Sequence, residues 1–396
     1  MQTLHQSTTK TQIPASYDFN PSITGESKKY LATIESLATG TPEHIVRQAD
    51  AAKFVANLPN LDQNRDRIEK LYNNTQIDTR HLAVNLLDET LSSIFSSNIQ
   101  SRMQMYKDHA IPLAERVTRK ALESAPPSEL ALEDSIRLMV FVSSTGFIAP
   151  GVDTALIEKL GLRRDIARVT VNFMGCAAAM NGLRVACDHV RANPTHKALV
   201  VCLELSSINA VFNDDINDVI IHSIFGDGCA AVLIGACQEE QTFGQGKIVI
   251  RDHLSYLVEG SEDGIVLGVQ DNGITCRLSR QLPDYIAKGV GPVIENFLAQ
   301  KGLTKENIDL WAIHPGGTRI IERSQFSLGL SDAQVADSWA VLRQYGNMLS
   351  PSVLFVLERM LLRVAGSARE PMNSLTGLAF SFSPGVGVEG ILFEKV

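Results

Sequence analysis

The sequence predicts an α/β protein made of two successive halves of similar construction, and three observations carry this. Short apolar runs with Gly and Pro punctuation follow Pro126-Pro127, at Leu138–Val142, Val169–Phe173, Ala198–Leu203 and Ala230–Ile234. Runs of this length fit strands buried on both faces. Helical apolar spacing accompanies them, as in Ala110, Leu113, Ala114 and Val117. The second half then repeats the mixture of strand and helix, although no internal sequence repeat is evident.

Taken in order, residues 1–26 are rich in Ser, Thr, Gln and Pro and read as a flexible arm without chemistry. The charged stretch Asp62–Lys120 reads as several helices that cap a surface. The strand runs follow, and the division falls between Ala236 and Gly246, giving halves over 27–240 and 241–396. A helix is predicted over Asp284–Gln300, then a strand at Leu310–Ile313. A further helix opens at Ser350-Pro351, with Ser350 as cap and Pro351 in the first turn, and runs through Val353, Phe355, Val356 and Met360. The last apolar runs are Gly377–Phe380 and Gly390–Phe393.

A chain of 396 residues with 44% hydrophobic and 20% charged residues has a globular composition, which excludes disordered, collagen-like and coiled-coil classes. With 36 Lys and Arg against 44 Asp and Glu, the net charge of -8 argues against a broad grip on nucleic acid. Small anionic ligands remain open to a local basic patch. No run reaches the roughly 18 apolar residues of a membrane-spanning helix, and Met1–Pro14 lacks the pattern of a secretory signal. A soluble, cytoplasmic protein with reduced cysteines is expected. The six cysteines, Cys176, Cys187, Cys202, Cys229, Cys237 and Cys276, include no CxxC pair, so no metal site is expected.

Three residues attract attention on local grounds. Val169–Met174 reads as a strand, Gly175 permits a tight turn, and Ala177, Ala178 and Ala179 begin a helix, which puts Cys176 at a helix N-terminus. The partial positive charge there favours thiolate and lowers a thiol pKa. His314 ends the strand at Leu310–Ile313 just before the turn Pro315-Gly316-Gly317, a position where α/β folds place functional side chains. Asn347 precedes the helix at Ser350. Singly, each has a plainer reading: a buried structural cysteine, a hydrogen-bonded core histidine and a loop or cap asparagine.

The order of Gly175-Cys176, Phe225-Gly226-Asp227-Gly228, His314-Pro315-Gly316-Gly317 and Gly346-Asn347-Met348 resembles the type III polyketide synthases, the chalcone synthase-like enzymes. The resemblance runs from about residue 30 to Val396. It implies an α/β, thiolase-like fold of duplicated αβαβα halves with N-terminal capping helices, a homodimer, CoA thioester substrates, and neither cofactor nor metal. By the same resemblance Cys176 is the acyl-carrying nucleophile, His314 and Asn347 its partners, and Phe225 an aromatic gate. Arg65, Arg67, Lys70 and Arg80 are the nearest supply of cations for CoA phosphates.

The chemistry suits these residues. A sulfur accepts an acyl group from one thioester and releases it to another. His314 is expected to hold the thiolate as an ion pair and, with the Asn347 amide, to stabilise the enolate left when malonyl thioester loses carbon dioxide. Phe225 would press an apolar face toward the malonyl carboxylate.

The sequence departs from the plant members at several positions. Cys276 stands where a second aromatic gate is expected, Ser206 and Asn209 fall where the family shapes its cavity, and Leu349 replaces a small hydroxyl residue. The volume freed at Cys276 is expected to open a tunnel for a long alkyl starter, each buried methylene adding roughly 0.8 kcal/mol. Ser381-Phe382-Ser383-Pro384-Gly385 resembles the family's glycine-rich loop with two serines in place of glycines, and Ala149 replaces a larger methionine contributed across the dimer. The expected activity is loading of a fatty acyl-CoA supplied by an acyl-activating enzyme, extension with malonyl-CoA, and release of an alkylpyrone or alkylresorcinol. The alternatives are a ketoacyl synthase III-like enzyme making one condensation and a non-catalytic acyl-CoA-binding protein.

Overall fold

In chain order the strands are β1 (Tyr30–Gly40), β2 (His44–Arg47), β3 (Thr79–Leu82), β4 (Ile136–Val142), β5 (Ala167–Val171), β6 (Lys197–Leu205), β7 (Asp227–Gln238), β8 (Ile248–Leu257), β9 (Ile265–Gln270), β10 (Gly273–Leu278), β11 (Leu310–Ile313), β12 (Leu375–Ser383) and β13 (Gly387–Lys395). They are taken from a computed structural model that describes residues 29–58, 61, 65–85, 87, 97–127, 131–212, 216–241, 247–365 and 374–396. The expected arm, residues 1–26, lies outside the described residues.

Nine strands form one sheet in the order β11-β12-β13-β8-β1-β7-β6-β4-β5. The duplication that no sequence repeat reveals is explicit here. In the N-terminal half, β4 runs parallel to β6, β6 antiparallel to β7, and β7 antiparallel to β1. In the C-terminal half, β11 runs parallel to β12, β12 antiparallel to β13, and β13 antiparallel to β8. The halves join through antiparallel pairing of β1 with β8, and β5 adds an outer parallel strand beside β4.

Both faces of these strands are covered, which is why they read as continuous apolar runs. On β6, Leu199, Val201 and Leu203 face one core with helix Ile99–Glu123, while Ala198, Val200 and Cys202 face another. On β12, Leu378, Phe380 and Phe382 pack with helix Leu282–Ala299, and Ala379 points the opposite way. Helices Ala178–Ala192 and Ser352–Ala365 share the middle core. The layers are therefore α, β, α, β, α, and the period-2 alternation of each strand divides its side chains between a middle and an outer core.

Three local expectations change. The strand at Val169 ends at Val171, because Phe173 takes a left-handed φ of +58° that no regular strand continues through. The helix after Asn347 starts at Ser352, and the Pro351 carbonyl accepts its first N–H groups. Ser350 is not its cap, since its hydroxyl donates to Glu204 instead. The antiparallel pair β2–β3, whose strands flank two helices, and the hairpin β9–β10 have no counterpart in the sequence expectations, and in β3 the cause is visible: only alternate residues, Arg80 and Leu82, are buried, and one of them is charged.

Candidate active site

Cys176 is held by a turn that its neighbours specify. After β5 the chain passes through Gly175, whose φ of +57° is a left-handed conformation that suits glycine. The short turn Gly175–Ala177 then opens into helix Ala178–Ala192. The Gly175 N–H donates to Ser144 Oγ at 3.1 Å, and Ser381 Oγ donates to the Cys176 carbonyl at 2.8 Å.

His314 follows the end of β11, with its N–H on the Phe380 carbonyl at 3.0 Å. Its ring lies against Gly316, where a Cβ would stand 3.1 Å from His314 Cδ2 and 3.2 Å from Nε2. Any larger residue at 316 would push the imidazole away. Asn347 emerges after helix Asp332–Tyr345 and bridges to Phe225: the Asn347 N–H donates to the Ile224 carbonyl and the Gly226 N–H to the Asn347 carbonyl, both at 2.9 Å. Asn347 Oδ1 accepts the Leu349 N–H at 2.8 Å, which orients the amide. Its Nδ2 then donates to the Gly316 carbonyl at 3.3 Å and lies 3.9 Å from Cys176 Sγ. Asn347 thus joins the segments that carry Cys176, His314 and Phe225.

The electrostatics bear on one expectation. Burial pushes the Cys176 thiol well above its usual range, the nearby Cys276 sulfur pushes it further, and the Asn347 amide opposes both. Burial also drives His314 down to about 3, and neither ring nitrogen has a hydrogen-bond partner among the described residues. Burial thus opposes the expected thiolate and imidazolium, against the partial positive charge of the helix end and the Asn347 amide, which favour the thiolate.

Ser206, Asn209, Phe225, Cys276 and Leu349 all line one cavity of about 40 Å³, joined there by Leu267. A second cavity of about 340 Å³ lies beyond Cys276 and shares Val211, Asp218, Thr275 and Cys276 with the first. Cys276 thus stands in the wall common to both cavities, where the tunnel is expected. Asn209 braces this wall, donating to the Thr145 carbonyl at 2.8 Å and accepting the Ile274 N–H at 3.2 Å. The Ser206 hydroxyl is buried without a partner among the described residues, and Leu349 holds a left-handed φ of +56°.

Comparison with known proteins decides the lineage. The family model for the N-terminal domain of chalcone and stilbene synthases matches residues 22–238, and that for the C-terminal domain matches 251–396. The chain belongs to the chalcone and stilbene synthase family. It is 53% identical over 369 residues to the alpha-pyrone synthesis polyketide synthase-like Pks18 of Mycobacterium tuberculosis, covering 92% of each chain. The crystal structure of PKS-I from the brown alga Ectocarpus siliculosus is similar at a TM-score of 0.88 and 41% identity, over 94% of this chain and 100% of that one. The C-terminal type III polyketide synthase domain of Steely1 from Dictyostelium is similar at a TM-score of 0.83 and 25% identity, over 92% and 99%. The protein is a type III polyketide synthase, an acyltransferase of thiolase-like fold that needs no cofactor beyond its CoA thioester substrates.

Within this synthase, Arg65, Arg67 and Lys70 are exposed along helix Arg65–Asn73. Arg80 departs from the sequence expectation. It is buried at 2% exposure, donates to Gln48 Oε1 at 2.9 Å and to the Phe225 carbonyl at 2.8 Å, and lies over the Tyr72 ring. The alternation of β3 turns it inward, so it supports the Phe225 segment and is not presented to a CoA phosphate.

Sequence reasoning also missed Glu204, although an acid inside the apolar run of β6 was a signal. Its buried carboxyl accepts from the Ser144 N–H at 2.9 Å, Thr145 Oγ1 at 2.8 Å and Ser350 Oγ at 2.7 Å, tying the segment beside Gly175 to the segment after Asn347. Burial raises its pKa from 4.5 to about 7, and these hydrogen bonds pull the other way. A raised folded-state pKa gives stability that is full below the unfolded value and lost as pH rises through 7. Glu204→Gln, whose amide keeps an acceptor toward Ser144 and a donor toward Ser350, is therefore expected to gain roughly 3 kcal/mol relative to the parent between pH 4.5 and pH 8. Thermal melting of both proteins across that range checks it.

Proposed function

We propose that this synthase loads a long-chain fatty acyl group on Cys176, extends it with malonyl-CoA and releases an alkyl α-pyrone. The observation that carries the reading is that Asn347 connects the other three: its Nδ2 lies 3.9 Å from Cys176 Sγ and bonds the carbonyl of Gly316, against which the His314 ring packs, and its backbone pairs with Phe225, which lines the cavity that shares Cys276 with the second one. The 53% identity to a protein named for α-pyrone synthesis favours the pyrone over the resorcinol.

Loading starts from the neutral thiol and imidazole that burial favours. As Sγ attacks the acyl-CoA carbonyl, its proton passes to His314 and then to the departing CoA sulfur, which returns the imidazole to neutrality. The neutral imidazole N–H and Asn347 Nδ2 then donate to the malonyl thioester oxygen while carbon dioxide leaves. The enolate carbon attacks the Cys176 thioester carbonyl, so a C–C bond forms, the C–S bond breaks and Cys176 leaves as thiolate with the lengthened chain on CoA. That chain returns to Cys176 by the same exchange, releasing CoA, and is extended a second time. An enol oxygen then attacks the thioester carbonyl: a C–O bond forms, the C–S bond breaks, and the enol proton goes to the departing sulfur. Arg65, Arg67 and Lys70 hold the CoA phosphates.

The same reading makes the enzyme a cytoplasmic homodimer fed by an acyl-activating enzyme. The exposed face of edge strand β5 and the stacked rings of Phe147 and Phe173, 4.7 Å apart near Ala149, support the dimer. No helix among the described residues is long and apolar enough to cross a membrane.

Mass spectrometry of protein and products tests the assignment, using malonyl-CoA and acyl-CoAs from acetyl to palmitoyl. Long acyl adducts on Cys176 with pyrone products are expected. Adducts from short or aromatic starters alone would overturn the long-chain reading. A requirement for carrier-bound malonate would favour the ketoacyl synthase III-like alternative.

A further inference from the structure

Two adjacent residues of β12 each hold one member of the proposed catalytic pair. The Phe380 carbonyl accepts the His314 N–H at 3.0 Å, and Ser381 Oγ donates to the Cys176 carbonyl at 2.8 Å. Strand alternation explains the reach of a single dipeptide. Phe380 packs its ring into the outer core with Leu378 and Phe382, so Ser381 shares the opposite face with Ala379, toward the middle layer that contains helix Ala178–Ala192. Ser381 is fully buried, and a buried hydroxyl needs a partner. The partner it has is the backbone of the nucleophile.

We propose that Ser381 is a positioning residue: it ties Cys176, carried by the N-terminal half, to the strand of the C-terminal half that anchors His314. This rests on the reading of Cys176 as nucleophile and His314 as its proton acceptor. From the N-terminal half the turn is held by Ser144, through the Gly175 N–H. That contact fixes the turn within its own half and says nothing of where the other half places the imidazole. Asn347 reaches across to the sulfur at 3.9 Å, and the Ser381 hydroxyl adds a shorter bond to the backbone of the nucleophile from a strand that is itself fixed, because β12 is paired on both sides, with β11 ahead of His314 and with β13. Proton transfer from Sγ needs the two groups within hydrogen-bond reach, and small misplacement of reacting groups is costly.

The test uses the full chain with Ser381→Ala, Ser381→Gly and Cys176→Ala. It reads kcat and KM for malonyl-CoA, the pH profile of iodoacetamide alkylation at Cys176, and the melting temperature. Loss of the tether is expected to lower kcat roughly 10-fold, with KM within about twofold. The alkylation profile should move to higher pH, because the thiol loses its aligned proton acceptor, while melting stays close to the parent. Glycine at 381 gives the same readouts should alanine prevent folding. Parental kcat and alkylation profile in the Ser381 variants overturn the proposal. So does slower turnover with an unmoved alkylation profile, which marks a merely structural loss. Acylation persisting in Cys176→Ala would overturn the nucleophile assignment itself. A Cys176→Ala protein that is not acylated, beside parental behaviour at 381, removes the positioning role alone.

Discussion

Cys176→Ala is expected to abolish acyl loading and polyketide formation, with turnover falling by at least about 10⁴-fold, the scale on which loss of a covalent nucleophile acts. Intact-protein mass after incubation with acyl-CoA should stay at the unmodified value, where the parent gains one acyl group. The fold should survive, because the change removes one sulfur from a turn that backbone contacts to Ser144 and Ser381 hold in place. Decarboxylation of malonyl-CoA should persist, since the His314 imidazole and Asn347 Nδ2 act on the malonyl oxygen and not on the sulfur. That residual activity separates the proposed mechanism from a binding protein that kept only the fold. An acyl adduct on the alanine variant would place the nucleophile elsewhere.

Much of this architecture was legible in the sequence because the strands are buried on both faces. The run Ala198–Leu203 announces β6, and Leu310–Ile313 coincides with β11, since no polar side interrupts either. The residues Cys176, His314 and Asn347 were also legible, each marked by a glycine or turn whose backbone role the structure explains: Gly175 by its positive φ, Gly316 by its approach to the imidazole. What escaped was tertiary. Arg80 looks like one more surface cation until β3 is paired and its alternation turns the guanidinium inward. Ser350 has the composition of a helix cap, yet Glu204, 146 residues away, claims its hydroxyl. The burial that opposes ionisation of Cys176 was hidden for the same reason, because a helix end is a local feature and burial is not.

Cys276→Phe is expected to reverse the chain-length preference. Cys276 is 8% exposed and stands in the wall common to the inner chamber of about 40 Å³ and the outer one of about 340 Å³. On the proposed reading a starter anchored on Cys176 extends past this residue along Val211, Val266 and Cys276, the apolar part of an otherwise polar wall, and a phenyl ring fills the passage. If six methylenes lose burial at roughly 0.8 kcal/mol each, the penalty is about 5 kcal/mol before any relaxation of the wall. Part of that is recovered as Thr275 and Val211 shift, so a fall of about 10²–10³-fold in kcat/KM for palmitoyl-CoA is the expected reading. Acetyl-CoA and butyryl-CoA, too short to reach the ring, should react within a few-fold of the parent rate. Steady-state kinetics over the acyl series tests this directly. A uniform loss across all lengths would mean that the ring disturbs Cys176 itself, whose thiol already feels the neighbouring sulfur of Cys276. An unchanged palmitoyl rate would mean that the chain takes a route that does not pass residue 276, and the assignment of the outer chamber to the starter would fall with it.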